Sequence, residues 1–173
     1  MGSIAELIKI IGQKARSASE TLRIASTDQK NNALISIASQ IQEHKQFILD
    51  ANDLDLKAAR ENSIDDALLD RLMLNDERLD SVVEGLHQIS TLVDPIGQIS
   101  DFKERPSGIK IGKMMVPLGV IGMIYESRPN VTVDAAGLCI KSGNAIILRG
   151  GSVYQLKHSL LLLHRERSRR GRT

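Results

Sequence analysis

Residues 116–152 read VPLGVIGMIYESRPNVTVDAAGLCIKSGNAIILRGGS, and this stretch decides the fold. The apolar run 118–125 is typical of a strand buried on both faces of a parallel sheet. Residues 130–143 have the pattern of a helix that ends at Gly143, since glycine is favoured just after a last helical turn. A second buried strand is predicted at 144–149. Strand, helix and strand within 32 residues make one βαβ unit and indicate a doubly wound α/β sheet.

The residues before this stretch have helical periodicity, with apolar side chains recurring every three or four positions. Between Pro95 and the first predicted strand the sequence becomes rich in Ile, Val and Gly. Here Ile109, Ile111 and Met114–Val116 predict short strands in a hairpin or arm. The predicted helices lie at 3–26, from Thr27-Asp28 to about Glu61 with a weak joint near Asp50–Asp53, at Asp65–Arg71, and from Asn75-Asp76 to Asp94-Pro95.

Three segments follow from these patterns. Residues 1–94 form a helical N-terminal region, and residues 95–152 begin an α/β domain that is incomplete, because two parallel strands do not make a finished sheet. Residues 153–173 are a basic tail, predicted to be disordered or irregular. The tail carries six basic residues and one acid, whereas residues 1–152 carry 17 basic and 20 acidic residues, so the net charge of +2 says little about the body.

The composition favours an ordinary soluble protein, with 42% hydrophobic and 25% charged residues. Aromatic residues make up only 2%, so stacking platforms for bases are nearly absent and nucleic-acid binding is not expected. The single cysteine excludes an internal disulfide and fits a reducing compartment. No signal peptide or membrane span is recognised, and the four histidines have no metal-ligand spacing. We therefore expect a cytoplasmic protein without a membrane segment or a metal site.

Two loops follow the predicted strands, where ligands bind in doubly wound sheets. These loops are Tyr125–Asn130 and Arg149–Gly151, and each carries an arginine. Arginine offers a planar fork of donors to phosphate or carboxylate, and the start of the helix adds free backbone N–H groups. The residues predict a pocket for a phosphorylated or carboxylated ligand. The alternative is that both arginines are surface residues at strand ends.

A resemblance sharpens this interpretation. The stretch PLGVIGMIYESRPNVTVDAAGLCIKSGNAIILRGG resembles the gamma-glutamyl phosphate reductase family, which belongs to the aldehyde dehydrogenase superfamily. The upstream stretches DLKAARENSIDDALLDRLMLNDERLDSVVEGLHQI and DPIGQI are also similar to the helical start of that family. The resemblance covers residues from about 4 to 152 and includes the distinctive YESRPNVT and KSGNAIILRGG. It implies that residues 95–152 are the start of a cofactor-binding domain like that of the aldehyde dehydrogenases.

The resemblance implies NADPH-dependent reduction of L-glutamyl 5-phosphate to L-glutamate 5-semialdehyde with release of phosphate, a step of proline biosynthesis. In that family a cysteine thiolate displaces phosphate, and hydride then reduces the thioester. An arginine at position 149 suits the 2′-phosphate of NADPH. By resemblance, the cofactor-binding residues are Tyr125, Ser127, Arg149, Gly150 and Gly151, and the substrate-binding residues are Arg128 and Asn130.

The family's nucleophilic cysteine has no counterpart in these residues. Cys139 lies mid-helix between apolar neighbours, so we interpret it as structural and name no catalytic residue. The 173 residues are therefore expected to be inactive, and the departure of 153–173 from the family pattern suggests a truncation near residue 152. The alternatives are a non-enzymatic fragment that binds nucleotide weakly or pairs with a full-length subunit, and a tail that contacts polyanions. A homo-oligomer also stays open.

Overall fold

The structure, a computed structural model, describes residues 3–126 and 128–150. The predicted βαβ unit is confirmed, because two parallel strands flank a helix over the stretch where the sequence placed them. The predicted tail lies outside the described residues. The described elements are α1 (Ile4–Ile24), α2 (Thr27–Glu43), α3 (Lys45–Glu61), α4 (Asp66–Leu72), α5 (Asp76–Thr91), β1 (Ile99–Glu104), β2 (Lys110–Met114), β3 (Val120–Tyr125), α6 (Pro129–Lys141) and β4 (Ala145–Gly150).

Short polar side chains start four of the helices, and Ser3 caps α1 by accepting from the Glu6 N–H at 3.2 Å. Asp65 and Asn75 each accept a hydrogen bond from a backbone N–H three residues on, as their positions predicted. The start of α2 differs from the prediction by one residue. Ser26, rather than Thr27, caps this helix, because the Ser26 hydroxyl and the Gln29 side chain form a reciprocal capping box.

The predicted joint near Asp50–Asp53 is wrong, since the helix is interrupted at His44 and continuous through residues 50–53. The physical reason is the buried side chain of Asn52. Its amide donates to the Leu72 carbonyl at 2.9 Å, and its oxygen accepts from the Leu74 N–H at 2.7 Å. These two bonds hold α3 against the end of α4 and the linker that follows it.

The main core lies where α2, α5 and α6 meet. Gly137 allows α6 to approach α5 closely, because a Cβ there would lie 3.1 Å from atoms of both Leu86 and Ile89. The helix of the βαβ unit therefore packs into the helical region, and the segments 1–94 and 95–152 share one core. The buried core residues are Leu34, Ala38, Ile41, Ile48, Leu79, Val82, Leu86 and Ile89, with Val133 and Ile140 of α6 packed against them.

A buried ion pair joins the start of α2 to the residues after α5. Lys30 is only 3% exposed, and its ammonium group contacts the Asp94 carboxylate. Asp94 also accepts from the Thr27 hydroxyl at 2.8 Å and from the Ile96 N–H at 3.0 Å. Burial opposes ionisation of Asp94, but the bonds from Lys30, Ile96 and Thr27 outweigh it and lower its pKa. The carboxylate therefore stabilises the folded chain in its charged form.

The expectation that the first strand is buried on both faces is wrong. In β3, residues Val120, Gly122 and Ile124 are exposed, while the alternate side chains are half-buried. Strand residues alternate between the two faces of a sheet, so one whole face of β3 is open to solvent.

The end of α6 is built as the sequence predicted. Gly143 has a φ of +69°, the left-handed conformation that favours glycine just after a helix. Asn144 follows, 4% exposed, and its side-chain oxygen accepts from the Gly119 N–H at 2.8 Å. The turn after α6 is thereby tied to the start of β3, which fixes where both parallel strands begin.

The first helix and the hairpin remain largely uncovered. On the apolar side of α1, Ile4, Leu7, Ile8 and Ile11 are exposed, and the partly buried residues of this helix, Gly12, Ala15, Ser19 and Leu22, lie further along it. The antiparallel strands β1 and β2 form the expected hairpin and are exposed throughout. Although one side of α1 is apolar, no helix of the described chain is long and apolar enough to cross a membrane.

Candidate functional site

The carboxyl ends of β3 and β4 lie side by side, as expected for a βαβ unit. Tyr125 is the register partner of Gly150, and Ile124 is the partner of Arg149. The Tyr125 hydroxyl accepts a hydrogen bond from the Thr132 hydroxyl at 2.7 Å, so the Tyr125 side chain faces α6. Ile124 and its partner Arg149 therefore point to the opposite face of the sheet.

This geometry divides the residues that the sequence singled out. Arg128 and Asn130 line a groove between α5 and the start of α6. Arg149 does not line that groove, since it lies on the other face of the two strands, with Gly150 after it. Ser127 and Gly151 lie outside the described residues. The two arginines predicted for one pocket are thus separated by the sheet, and only Arg128 reaches the groove.

The α5–α6 groove has a volume of about 370 Å³. One wall comes from α4, α5 and the linker between them, and the other comes from the first turns of α6. Pro129 occupies the first turn of α6, where its missing N–H costs no helical hydrogen bond. The charged and polar side chains that line the groove include Arg71, Arg78, Ser81, Arg128, Asn130 and Asp134.

The charges of the groove are only partly compensated. Arg78 is already engaged, because it pairs with the Asp70 carboxylate at 2.8 Å and donates to the Met73 carbonyl at 2.9 Å. The Arg128 guanidinium, unlike that of Arg78, has no hydrogen bond or ion pair with the part of the chain that the structure describes, and Arg128 lines the groove. The groove can therefore bind an anion at Arg128 without breaking an existing pair.

Asp134 is the acidic side chain on the α6 wall. It accepts one long hydrogen bond, from the Asn130 amide at 3.4 Å. Burial raises the pKa of the Asp134 carboxyl, and the bond from Asn130 opposes this only in part. A half-buried carboxyl without a cationic partner is a group that a bound cation would stabilise.

Three groove residues escaped the sequence analysis. Asp134 stands four residues after Asn130, so the helical spacing places both on one face, a signal that could have found it. Arg78 and Ser81 come from α5, about 50 residues earlier in the chain. No local pattern brings α5 beside α6, because their contact depends on the packing of the shared core.

Cys139 is buried in α6, with 6% of its surface exposed. Burial raises the pKa of its thiol above the ordinary value, so the thiolate that a nucleophile requires is disfavoured. This environment supports the interpretation of Cys139 as a structural residue. Among the residues described, no three His, Cys, Asp or Glu side chains cluster so that they could hold a metal ion.

No family model matches the chain. Known proteins resemble it closely, however. The chain is 58% identical over 152 residues to the gamma-glutamyl phosphate reductase of Ruthia magnifica subsp. Calyptogena magnifica, a match that covers 88% of this chain. The crystal structure of the Thermotoga maritima gamma-glutamyl phosphate reductase matches 88% of the chain with a TM-score of 0.82 and 43% identity. The Saccharomyces cerevisiae gamma-glutamyl phosphate reductase structure matches 83% with a TM-score of 0.78 and 33% identity.

These matches cover most of this chain but only part of each relative. The chain spans 36% of the length of the Ruthia magnifica protein and 36% of each of the two crystallised chains. The matching part is the N-terminal part of the solved structures.

Proposed function

Because this chain corresponds in sequence and fold to the N-terminal part of gamma-glutamyl phosphate reductases, we propose that it contributes to such a reductase in the cytoplasm. The reaction converts L-glutamyl 5-phosphate and NADPH into L-glutamate 5-semialdehyde, NADP⁺ and phosphate. The observation that carries the proposal is the α5–α6 groove beside the strand ends, where the Arg128 guanidinium has no partner among the described residues.

Arg128 has the chemistry that the phosphorylated substrate requires. Its guanidinium can donate two parallel hydrogen bonds to a phosphate or carboxylate. The first turn of α6 adds backbone N–H groups and the positive end of the helix dipole at the same place. Asn130, the second residue of α6, offers both an amide donor and a carbonyl acceptor to the substrate.

The residues also fit the cofactor in part. NADPH supplies the hydride, that is, the two electrons that reduce the acyl group to the aldehyde. Arg149 is exposed and has no partner in the described structure, so its guanidinium is available to the 2′-phosphate. Tyr125 and Gly150 end the two strands beside it. The resemblance adds Ser127 and Gly151 to this cofactor set.

The 173 residues do not complete the reaction by themselves in this proposal. Cys139 is the single cysteine, and its burial and raised pKa make it unsuitable as the nucleophile. The reacting thiolate must therefore come from another chain segment or subunit. The exposed apolar residues of α1 and of the β1–β2 hairpin support pairing with such a partner, since contiguous exposed apolar surface marks interaction sites.

The experiment compares the 173-residue chain with a graft, in which residues 4–150 replace the matching N-terminal part of the Ruthia magnifica reductase. We expect the graft, and not the chain alone, to oxidise NADPH when glutamyl 5-phosphate is present. Arg128→Ala in the graft should lower kcat/KM by about tenfold or more, because a charge-assisted bond to the substrate is lost.

Two outcomes would count against the proposal. Turnover by the 173-residue chain alone would contradict the assignment of the nucleophile to another segment. A graft that folds, as judged by circular dichroism, yet does not oxidise NADPH would contradict the reductase function. If the graft does not fold, a shorter graft of residues 66–150 keeps the test decisive, because it retains both walls of the groove.

A further inference from the structure

We propose that Asp134 is a specificity-determining residue, whose carboxylate binds the α-ammonium group of an amino-acid substrate in the α5–α6 groove. The inference rests on the proposed function and deepens it. Arg128 and Asn130 account for the phosphorylated end of the substrate, but neither distinguishes an amino acid from a simple dicarboxylic acid.

The first argument is the state of Asp134 itself. Its carboxyl lines the groove and is half-buried, and its one hydrogen-bond partner among the described residues is the Asn130 amide, 3.4 Å away. Good hydrogen bonds of this type are 2.7–3.2 Å long, so this contact leaves most of the acceptor capacity unused. The carboxylate oxygens of Asp134 are therefore available to a cation that enters the groove.

The second argument is the space around the carboxyl. Gly85 of α5 faces Asp134, and a Cβ at that glycine would lie 3.7 Å from the Asp134 oxygen. Glycine at position 85 places no side-chain atom beside this oxygen. The Ser81 hydroxyl, one turn earlier on α5, donates to the Glu77 carbonyl at 2.9 Å, so its oxygen keeps lone pairs for another donor.

These groups suit an ammonium ion better than a metal ion. An ammonium group has three N–H donors and is satisfied by one carboxylate with one or two neutral oxygens. A divalent cation such as Ca²⁺ needs six to eight oxygen ligands, usually with several carboxylates. In the portion of the chain that is described, no cluster of acids accompanies Asp134 that would meet this requirement.

The third argument is the separation of the two charges. Arg128 immediately precedes Pro129, the first residue of α6, and Asp134 lies five residues further along the helix, roughly 7.5 Å along its axis. The long arginine side chain can bend over this distance, so that the guanidinium and the Asp134 carboxylate hold the two ends of one glutamyl group. The acyl phosphate would therefore lie at Arg128, next to the strand ends and the cofactor, and the amino end would lie at Asp134.

The experiment titrates the 173-residue chain with two probes and follows its amide signals by NMR. L-Glutamate carries the α-ammonium group, and glutarate is the same carbon chain without it. We expect L-glutamate to shift the groove signals with about tenfold higher affinity than glutarate, as one charge-assisted hydrogen bond to a carboxylate predicts. Equal affinity for the two probes, or no binding of L-glutamate to the folded chain, would overturn the inference.

Variants locate the effect. Asp134→Asn should weaken L-glutamate binding about tenfold and leave glutarate binding unchanged, because only L-glutamate uses the carboxylate. Asp134→Glu keeps the charge and should restore part of the preference. The matched control is Asp101→Asn, which removes an exposed carboxylate of the hairpin that pairs with Lys113 and should change neither affinity. If a folded Asp134→Asn chain binds neither L-glutamate nor glutarate, the inference is contradicted, since a purely structural role of Asp134 predicts that result.

The graft separates this inference from the proposed function. If the graft turns over and Asp134→Asn leaves its KM for glutamyl 5-phosphate unchanged, only the role of Asp134 fails. If Asp134→Asn raises KM about tenfold with little change in kcat, the residue binds the substrate as proposed. A folded graft without turnover is a failure of the proposed function, and the two-probe titration then still decides what the groove binds.

Discussion

Replacing Asp94 by Asn is expected to lower the free energy of unfolding by about 3–5 kcal/mol at neutral pH. The substitution keeps the shape of the side chain but leaves the Lys30 ammonium buried without its counter-ion, and Lys30 is 3% exposed. Urea unfolding followed by circular dichroism measures the change. Asp101→Asn, in an exposed pair with Lys113, is the matched control and should change stability by no more than about 0.5 kcal/mol.

The dependence of this effect on pH follows from the pKa of Asp94, which is lowered in the folded chain. A lowered folded pKa means that the carboxylate stabilises the fold above the unfolded value, about 3.9 for aspartate. That contribution is lost as the pH falls through the lowered pKa. The difference between the unmodified chain and Asp94→Asn should therefore shrink below about pH 4. A difference that stays constant down to pH 2 would contradict a charged, stabilising Asp94.

Replacing Leu86 by Ala is expected to destabilise the chain by about 2–5 kcal/mol, since the substitution opens a cavity in a well-packed core. Leu86 is 1% exposed and lies at the closest approach of α5 and α6, opposite Gly137. Because α6 also forms one wall of the α5–α6 groove, this variant should lose ligand binding together with stability.

The control for this prediction is Leu138→Ala, which truncates a leucine on the exposed side of α6. Leu138 is 51% exposed, so its truncation should cost less than about 1 kcal/mol and leave the groove intact. Urea unfolding of both variants provides the comparison. Equal losses of stability would show that α6 does not dock on α5 through Leu86.

Local features of this fold were accessible from the sequence. Three kinds of feature depend on residues that lie within a few positions of one another. They are the two strand–turn junctions of the βαβ unit, the left-handed Gly143 after α6, and the caps at Asp65 and Asn75. Helical periodicity likewise placed the helical stretches, including α1, although it joined α2 and α3 into one helix. These features follow from backbone preferences and short-range hydrogen bonds, which act within one turn or one loop.

Features that depend on distant partners were missed. Lys30 and Asp94 are 64 residues apart, and the bonds of Asn52 that keep residues 50–53 helical reach about 20 residues ahead. Burial was overestimated for β3 for the same reason, because an apolar run identifies an apolar face but not the layer that covers it. The sequence therefore predicted which faces are apolar, and the structure decided which of them are buried.

The candidate site follows the same division. Arg128 and Asn130 were predicted, because strand ends in α/β sheets are known positions for ligands. Asp134, Arg78 and Ser81 were not, since the groove exists only where α5 packs beside α6. Alternation of side chains along the strands places Arg149 on the face opposite α6, away from Arg128. This placement could be recognised only once the Tyr125 side chain was known to face α6.

A crystal structure of the graft with bound L-glutamate would test the central claim, that the α5–α6 groove is the substrate site, most directly. The account predicts the amino acid between α5 and α6, with its ammonium group within hydrogen-bonding distance of Asp134 and its γ-carboxylate at Arg128. An amino acid bound at a different place, with the groove empty and neither residue in contact with it, would contradict the account.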